Sequence, residues 1–419
     1  MTAGPGSTGG FPARDALRIG RRMILLAALS QSVATGFMFG SFGAFVVPIE
    51  ERMGVDRSLS AAGASLVILA IGLIAPFLGA AMRRFGLRPL LLIGALLCAA
   101  GYAGAAVSTT ILPLLLCYGL LVGPGVALLG LAVPTALVAN WFVAGRGRAI
   151  GIVNMPVAVA IVPTIIAQLL PRIGLDGTYL VLAGCTLLLV PALFLVVDHP
   201  ERRGLKAHGH DDAAPEQGGG LPVPAAALVR TGDYWRVALA AAIIAGGGAT
   251  LATHILPFAI GEGVDPALAA VLLALLGGAG VFGSLAYGML SDRLGGQRAL
   301  ALNATIQSVL WFSFLMPLPF ALRALLVVLI GLNAGGMIAS VGTALSQRFG
   351  AVALGGALGL WSFISLPFTV GMPPLAGLLF ERLGGYEAAF MVQIGLFIVA
   401  ALLAGLSLGR KRRLATSKA

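Results

Sequence analysis

The chain has 419 residues, of which 58% are apolar and only 10% charged, and its mean hydropathy is +0.99. Soluble domains carry roughly 25% charged residues, and disordered chains combine low hydrophobicity with high net charge, so both classes are excluded and an integral membrane protein remains. The net charge of +11 would suggest nucleic acid in a soluble protein, but all 27 Lys and Arg and all 16 Asp and Glu fall between apolar runs or at their ends, so the basic excess is a topology signal and no nucleic-acid partner is expected.

In chain order, residues 1–22 are Gly-rich and basic and read as a cytoplasmic tail. The apolar run 23–48 behind them is longer than the roughly 7–15-residue core of a signal peptide, which predicts a retained spanning helix. A span needs about 20 mostly apolar residues, and further helices are predicted over 59–82, 89–107, 111–140, 148–170, 178–197, 237–260, 266–290, 299–317, 321–346, 353–380 and 387–409. The expected fold class is an all-α membrane protein of twelve transmembrane helices. The long polar break at 198–236 separates a six-helix bundle over 23–197 from a second over 237–409, and reads as a flexible cytoplasmic linker. A basic tail, 410–419, follows the last helix. His208 and His210 in the linker lack partners for a metal site, and neither metal nor cofactor is expected. Cys98, Cys117 and Cys185 sit in apolar runs without ligand spacing and read as inert thiols.

With the N-terminus placed inside and the loops alternating, 22 basic residues fall inside and 5 outside, while the acids divide 8 and 8. Only Lys and Arg set orientation, so the count predicts both termini on the cytoplasmic side. The halves also echo each other. Gly79 to Gly86 (GAAMRRFG) aligns with Gly288 to Gly295 (GMLSDRLG) at an offset of 209, and Arg172-Ile173-Gly174 aligns with Arg382-Leu383-Gly384 at 210. Two separate loops agreeing on nearly one spacing argue for internal duplication, an architecture of transporters whose substrate site lies between the halves.

These residues resemble the major facilitator superfamily along essentially the whole chain. The most specific mark is the pattern G-x-x-x-D-R-x-G between helices 2 and 3, repeated between helices 8 and 9. The second copy is intact as Gly288, Asp292, Arg293 and Gly295, whereas in the first Arg83 stands where the family has Asp. Within the superfamily the chain most resembles the bacterial monocarboxylate-transporter-like branch. That resemblance rests on Phe42-Gly43-Ala44-Phe45 with Pro48, Asn140-Trp141-Phe142 with Gly145 to Gly151 (GRGRAIG), His254-Ile255-Leu256-Pro257, and Pro374-Leu375-Ala376-Gly377 running to Gly384-Gly385-Tyr386. It implies a secondary active transporter of the bacterial inner membrane, acting as a monomer in the lipid bilayer, that takes up a small organic acid with H+ as coupling ion. One departure keeps alternatives open, and one further feature weighs against the exporter among them without removing it. Helix 8 holds no Arg or Lys over 281–287, where the family often pairs an Arg with the substrate carboxylate, and helix 5 reads Asn154-Met155-Pro156-Val157 without the Gly-rich motif of proton-coupled drug exporters. Efflux of a neutral or lipophilic compound, or a non-transporting membrane sensor, are the alternatives.

The expected site residues follow from polarity inside apolar runs. His254 lies ~27 Å from Arg236 and ~12 Å from Glu262 by helical rise, and either handles a proton or substrate or is a neutral imidazole tied to a neighbour. Gln31 and Thr35 on helix 1, Asn333 on helix 10 and Ser365 on helix 11 are the pocket candidates, against ordinary interhelical packing. Arg146, Arg148, Asp292 and Arg293 are the candidates for a cytoplasmic gate, latched by opposite charges or by a helix end. The chain has no G-x-x-x-x-G-K-[ST] loop and no Ser/His/Asp set, so neither ATP use nor an enzyme activity is expected.

Overall fold

A computed structural model describes residues 10–209 and 225–406. In lipid every backbone N–H and C=O has to be paired within its own segment unless the chain closes a barrel, and the described residues are helical nearly throughout. The first half contains α1 (Gly10–Met53), α2 (Arg57–Phe85), α3 (Leu87–Val107), α4 (Ile111–Cys117), α5 (Gly123–Leu129), α6 (Ala132–Trp141), α7 (Arg146–Val153) and α8 (Val157–Leu193). After the short α9 (Ala225–Leu228), the second half contains α10 (Gly232–Gly261), α11 (Pro266–Leu294), α12 (Gly296–Leu310), α13 (Phe320–Gly335), α14 (Met337–Phe349), α15 (Ala351–Leu383) and α16 (Glu387–Leu406).

Among the described residues, ten helical stretches are long and apolar enough to cross a bilayer. The longest, Arg146–Leu193, is not a single rod. Pro156 interrupts it between α7 and α8, and α8 turns at Gly174, whose φ of 70° and ψ of −178° suit a residue without a Cβ. At the other extreme α12 has 15 residues and tightens into a 3-10 turn over Trp311–Leu315, just before Pro317 and Pro319 stop the helix. The outer surface is apolar, with Phe77 69% and Leu188 77% exposed, which is tolerable only where lipid covers it.

The linker is more ordered than its polar composition suggests. The indole of Trp141 donates to the Val197 carbonyl at 2.8 Å, and the Asn140 amide donates to the Asp198 carbonyl at 3.0 Å. The His208 N–H donates to the Trp141 carbonyl at 2.9 Å, while its own carbonyl accepts from Val143 at 2.9 Å and Ala144 at 3.1 Å. The first part of the expected flexible linker is thus strapped to the end of α6, through backbone pairing that composition does not display. Likewise α1 begins at Gly10, so part of the expected N-terminal tail is helical. Residues 1–9, linker residues 210–224 with His210, and the basic tail 410–419 lie outside the described residues.

Candidate transport cavity and latch

Polar side chains of α1, of the turn after α7 and of α15 converge on a cavity of about 310 Å³ between the two halves. Gln31, Thr35, Asn154, Ser362 and Ser365 give it polarity, and Phe39, Ile68, Leu78, Val126, Ile338 and Leu366 give it apolar walls. None of its lining residues is charged. The hydrogen-bonding state of the wall is asymmetric. Thr35 donates to the Gln31 carbonyl at 2.8 Å, Ser362 to Leu358 at 2.9 Å and Ser365 to Ser362 at 2.8 Å, so these hydroxyl protons are spent on their own helices. Asn154 uses its Nδ2 on the Ile150 carbonyl at 3.0 Å and on Thr135 Oγ1 at 3.0 Å. A carbonyl only accepts, which fixes the orientation of that amide and leaves Asn154 Oδ1 buried without a partner. Gln31 Oε1 is also buried without a partner. The wall therefore presents mainly acceptors.

Of the expected pocket residues, Gln31, Thr35 and Ser365 meet at this cavity. Asn333 does not line it. That residue exchanges bonds with Asn303, each side-chain amide donating to the other's carbonyl, and its Oδ1 accepts from the Tyr287 hydroxyl. A polar stripe on a helix says nothing about which neighbour it meets, and here the stripe faces α11 and α12. His254 lies outside the cavity too. Its Nε2 is 2.9 Å from the Pro373 carbonyl and its Nδ1 is 3.2 Å from the Tyr386 hydroxyl. Because Pro373 only accepts, Nε2 carries the proton and a neutral ring leaves Nδ1 to accept from Tyr386. The ring thereby ties α10 to α15 and to the turn before α16. Ser362 and Asn154 lie in the wall outside the expected set, and Asn154 is the one with an orphaned acceptor. Its sequence signal was an amide set two positions before a helix-breaking proline.

Just beyond the cavity, at the end carrying the linker, the halves close on each other. Asp292, at the end of α11, accepts from the backbone N–H of Gly147 at 2.6 Å and of Arg148 at 2.8 Å, one bond to each carboxylate oxygen. These are amides of the first turn of α7, where unpaired N–H groups and the helix dipole favour an anion. Gly147 permits the approach, since a Cβ there would stand 2.5 Å from the Gly288 carbonyl oxygen. Ser284 continues the contact by donating to the Gly151 carbonyl at 2.8 Å. The expected gate residues contribute unequally. Arg148 takes part through its amide, Arg146 turns its Nε to the Phe142 carbonyl at 2.7 Å, and Arg293 is exposed. The contact between the halves is a carboxylate on a helix end rather than a pair of side-chain charges. A second close approach, Gly79 of α2 against Gly356 of α15, repeats the first at the 209-residue offset.

Comparison with known proteins agrees with the fold. The chain is 23% identical to mouse monocarboxylate transporter 12 over 411 residues, covering 91% of this chain and 84% of that protein. It is 28% identical to bovine monocarboxylate transporter 13, covering 90% and 87% respectively. Among solved structures, the Escherichia coli fucose:proton symporter superposes with a TM-score of 0.69 at 13% identity, covering 93% of this chain and 98% of that one. A proton:xylose symporter superposes with a TM-score of 0.67 at 14% identity, covering 92% and 95%. The family model described as Major Facilitator Superfamily matches residues 27–365. With that match spanning most of its length, the chain belongs to the major facilitator superfamily of membrane transporters.

Proposed function

We propose that this transporter carries a small monocarboxylic acid together with a proton, as a net-neutral pair, by alternating access of the cavity between its halves. The observation that carries this reading is a wall with no charged side chain and a surplus of acceptors. A bare carboxylate would meet no cation there and would leave Asn154 Oδ1 unpaired, which costs a buried anion several kcal/mol. A protonated carboxyl group supplies the missing donor. The Gln31 amide offers one N–H and one C=O, the complement of a carboxyl group, while Phe39, Ile68 and Leu366 suit an apolar tail. The relatives named monocarboxylate transporters support the acid, and uptake into the cell is the direction we assign.

The reading includes twelve spans with both termini cytoplasmic, acting as a monomer in the cell inner membrane. It is supported by the break at Gly174, by the continuation of α12 into Trp311–Leu315, and by the basic excess on one side. Asp292 on the start of α7 is then the cytoplasmic latch of the closed state. The test is uptake into proteoliposomes of short aliphatic and aromatic monocarboxylates. Uptake should rise with an inward proton gradient and ignore a potassium-valinomycin potential. Uptake that follows the potential and ignores the proton gradient refutes the neutral-pair mechanism.

A second reading is efflux of a neutral lipophilic compound. It is favoured by an apolar cleft of about 750 Å³ that adjoins the cavity and shares Ile68 and Leu366 with it, walled further by Leu69, Phe363 and Val370. Transport of neutral compounds without any acid in the same vesicles would select it.

A further inference from the structure

Arg83 marks the departure of the first loop copy from the second, and the structure shows what that departure builds. Asp292 seats on α7, which begins one residue before Gly147. The matching partner of the first copy is α15, which begins at Ala351, about one turn further ahead of Gly356. The amides beside Gly356 are therefore already bonded within the helix and need no carboxylate. The unpaired amides lie one turn further out, in the first turn of α15, where no side chain caps them. Ala351 and Val352 of that turn line a cleft of about 370 Å³ together with Arg83, Arg84, Arg202 and His199.

The charge in this cleft is unbalanced. Arg83 and Arg84 have no carboxylate partner among the described residues, and Arg84 lies over the Phe85 ring at 5.3 Å. The one acid in the wall, Asp198, is 1% exposed; its Oδ1 accepts from the Arg88 N–H at 2.9 Å, and its Oδ2, which has no hydrogen-bond partner, is ion-paired with Arg202 at 3.5 Å, so Arg202 offsets this acid and Arg83 and Arg84 carry the excess. Two exposed guanidiniums thus face a helix start across the seam between the halves, at the helix ends where bilayer headgroups lie.

We propose that this cleft binds a net-negative, phosphate-bearing anion, clamped by Arg83 and Arg84 from the first half and by the leading amides of α15 from the second. The bound anion does at this seam what the Asp292 carboxylate does at the other, so one latch is built into the chain and the other is supplied from outside. Phosphate geometry suits the paired N–H groups of guanidinium, and a helix start adds favourable backbone donors.

The full-length detergent-purified protein is titrated with short-chain phosphatidylglycerol, with zwitterionic phosphatidylcholine and with inorganic phosphate, reading the thermal unfolding midpoint. A saturable rise with phosphatidylglycerol and none with phosphatidylcholine is expected. Arg83→Gln with Arg84→Gln should raise the half-saturating concentration about tenfold, and Arg203→Gln with Arg298→Gln, which remove two exposed charges elsewhere, should leave it unchanged. Arg83→Asp, which restores the second copy's pattern, should lose the rise altogether. An equal rise with inorganic phosphate identifies a free anion as the occupant, and a rise with the lipid alone identifies a headgroup; both support the site. No saturable rise with either anion, or equal losses in the two double variants, overturns it.

Discussion

Replacing Asp292 with Asn tests the latch with little change of shape. The native carboxylate takes one amide proton on each oxygen. Hydrogen bonds to charged groups contribute about 1.5–3 kcal/mol each, and a charge at a helix start adds about 0.3–1 kcal/mol. Asn keeps one acceptor and loses the other together with the charge. Asp292 is exposed to solvent, so water recovers part of that loss, and the net penalty on the closed state is about 1–2 kcal/mol, or a factor of about 5–30 in population. The reporter is Thr343→Cys in a background with Cys98, Cys117 and Cys185 replaced. Thr343 is 1% exposed, its hydroxyl has no partner to lose, and it borders Gly147 at the same seam. Maleimide should label it about 5–30 times faster in the Asp292→Asn protein, because labelling tracks the open fraction when opening is fast. An unchanged rate at equal protein level would mean that the carboxylate does not hold the halves together.

Other expectations follow from the same geometry. Gly147→Val has no room beside the Gly288 carbonyl, so it should disfavour the closed state by about 1–3 kcal/mol and speed the same labelling. Gln31→Ala should raise the KM for an acid substrate about tenfold, with smaller effect on kcat, in initial-rate uptake measurements. His254→Gln keeps a donor for Pro373 and should retain both transport and its pH dependence. A flattened pH profile in that variant would restore a proton-handling role. Tyr386→Phe should lower thermal stability by about 1 kcal/mol through loss of the bond to His254 Nδ1.

Hydropathy made the membrane-crossing helices legible, although ten stretches rather than twelve are long and apolar enough among the described residues, and the repeat at 209 residues anticipated that Gly79 and Gly288 each approach a glycine of another helix; both are properties of side chains in order along the chain. Side-chain polarity within spans likewise pointed to Gln31, Thr35 and Ser365, which share a wall. Partners are what such patterns leave out. Asn333 looks equivalent to Gln31 along the sequence, yet Tyr287 and Asn303 occupy it. His254 looks functional as an ionisable group in a span, and a proline carbonyl fixes its tautomer. Asp292 finds backbone amides, which every residue but proline possesses and no motif displays. The strap at His208 is likewise made of backbone groups and has no signature in the sequence.

The paired amides of Asn303 and Asn333 bear on how the second half moves. Each side chain holds the other residue's backbone, so sliding α13 along α12 by even one residue breaks both bonds at once. Such a reciprocal clasp resists shear while permitting the pair to turn together. With Tyr287 also bonded to Asn333, α11 joins the same block. Any displacement that frees Asp292 from α7 must then carry α12 and α13 with it, and the resistance to opening is concentrated at the seam between halves rather than dispersed through the bundle.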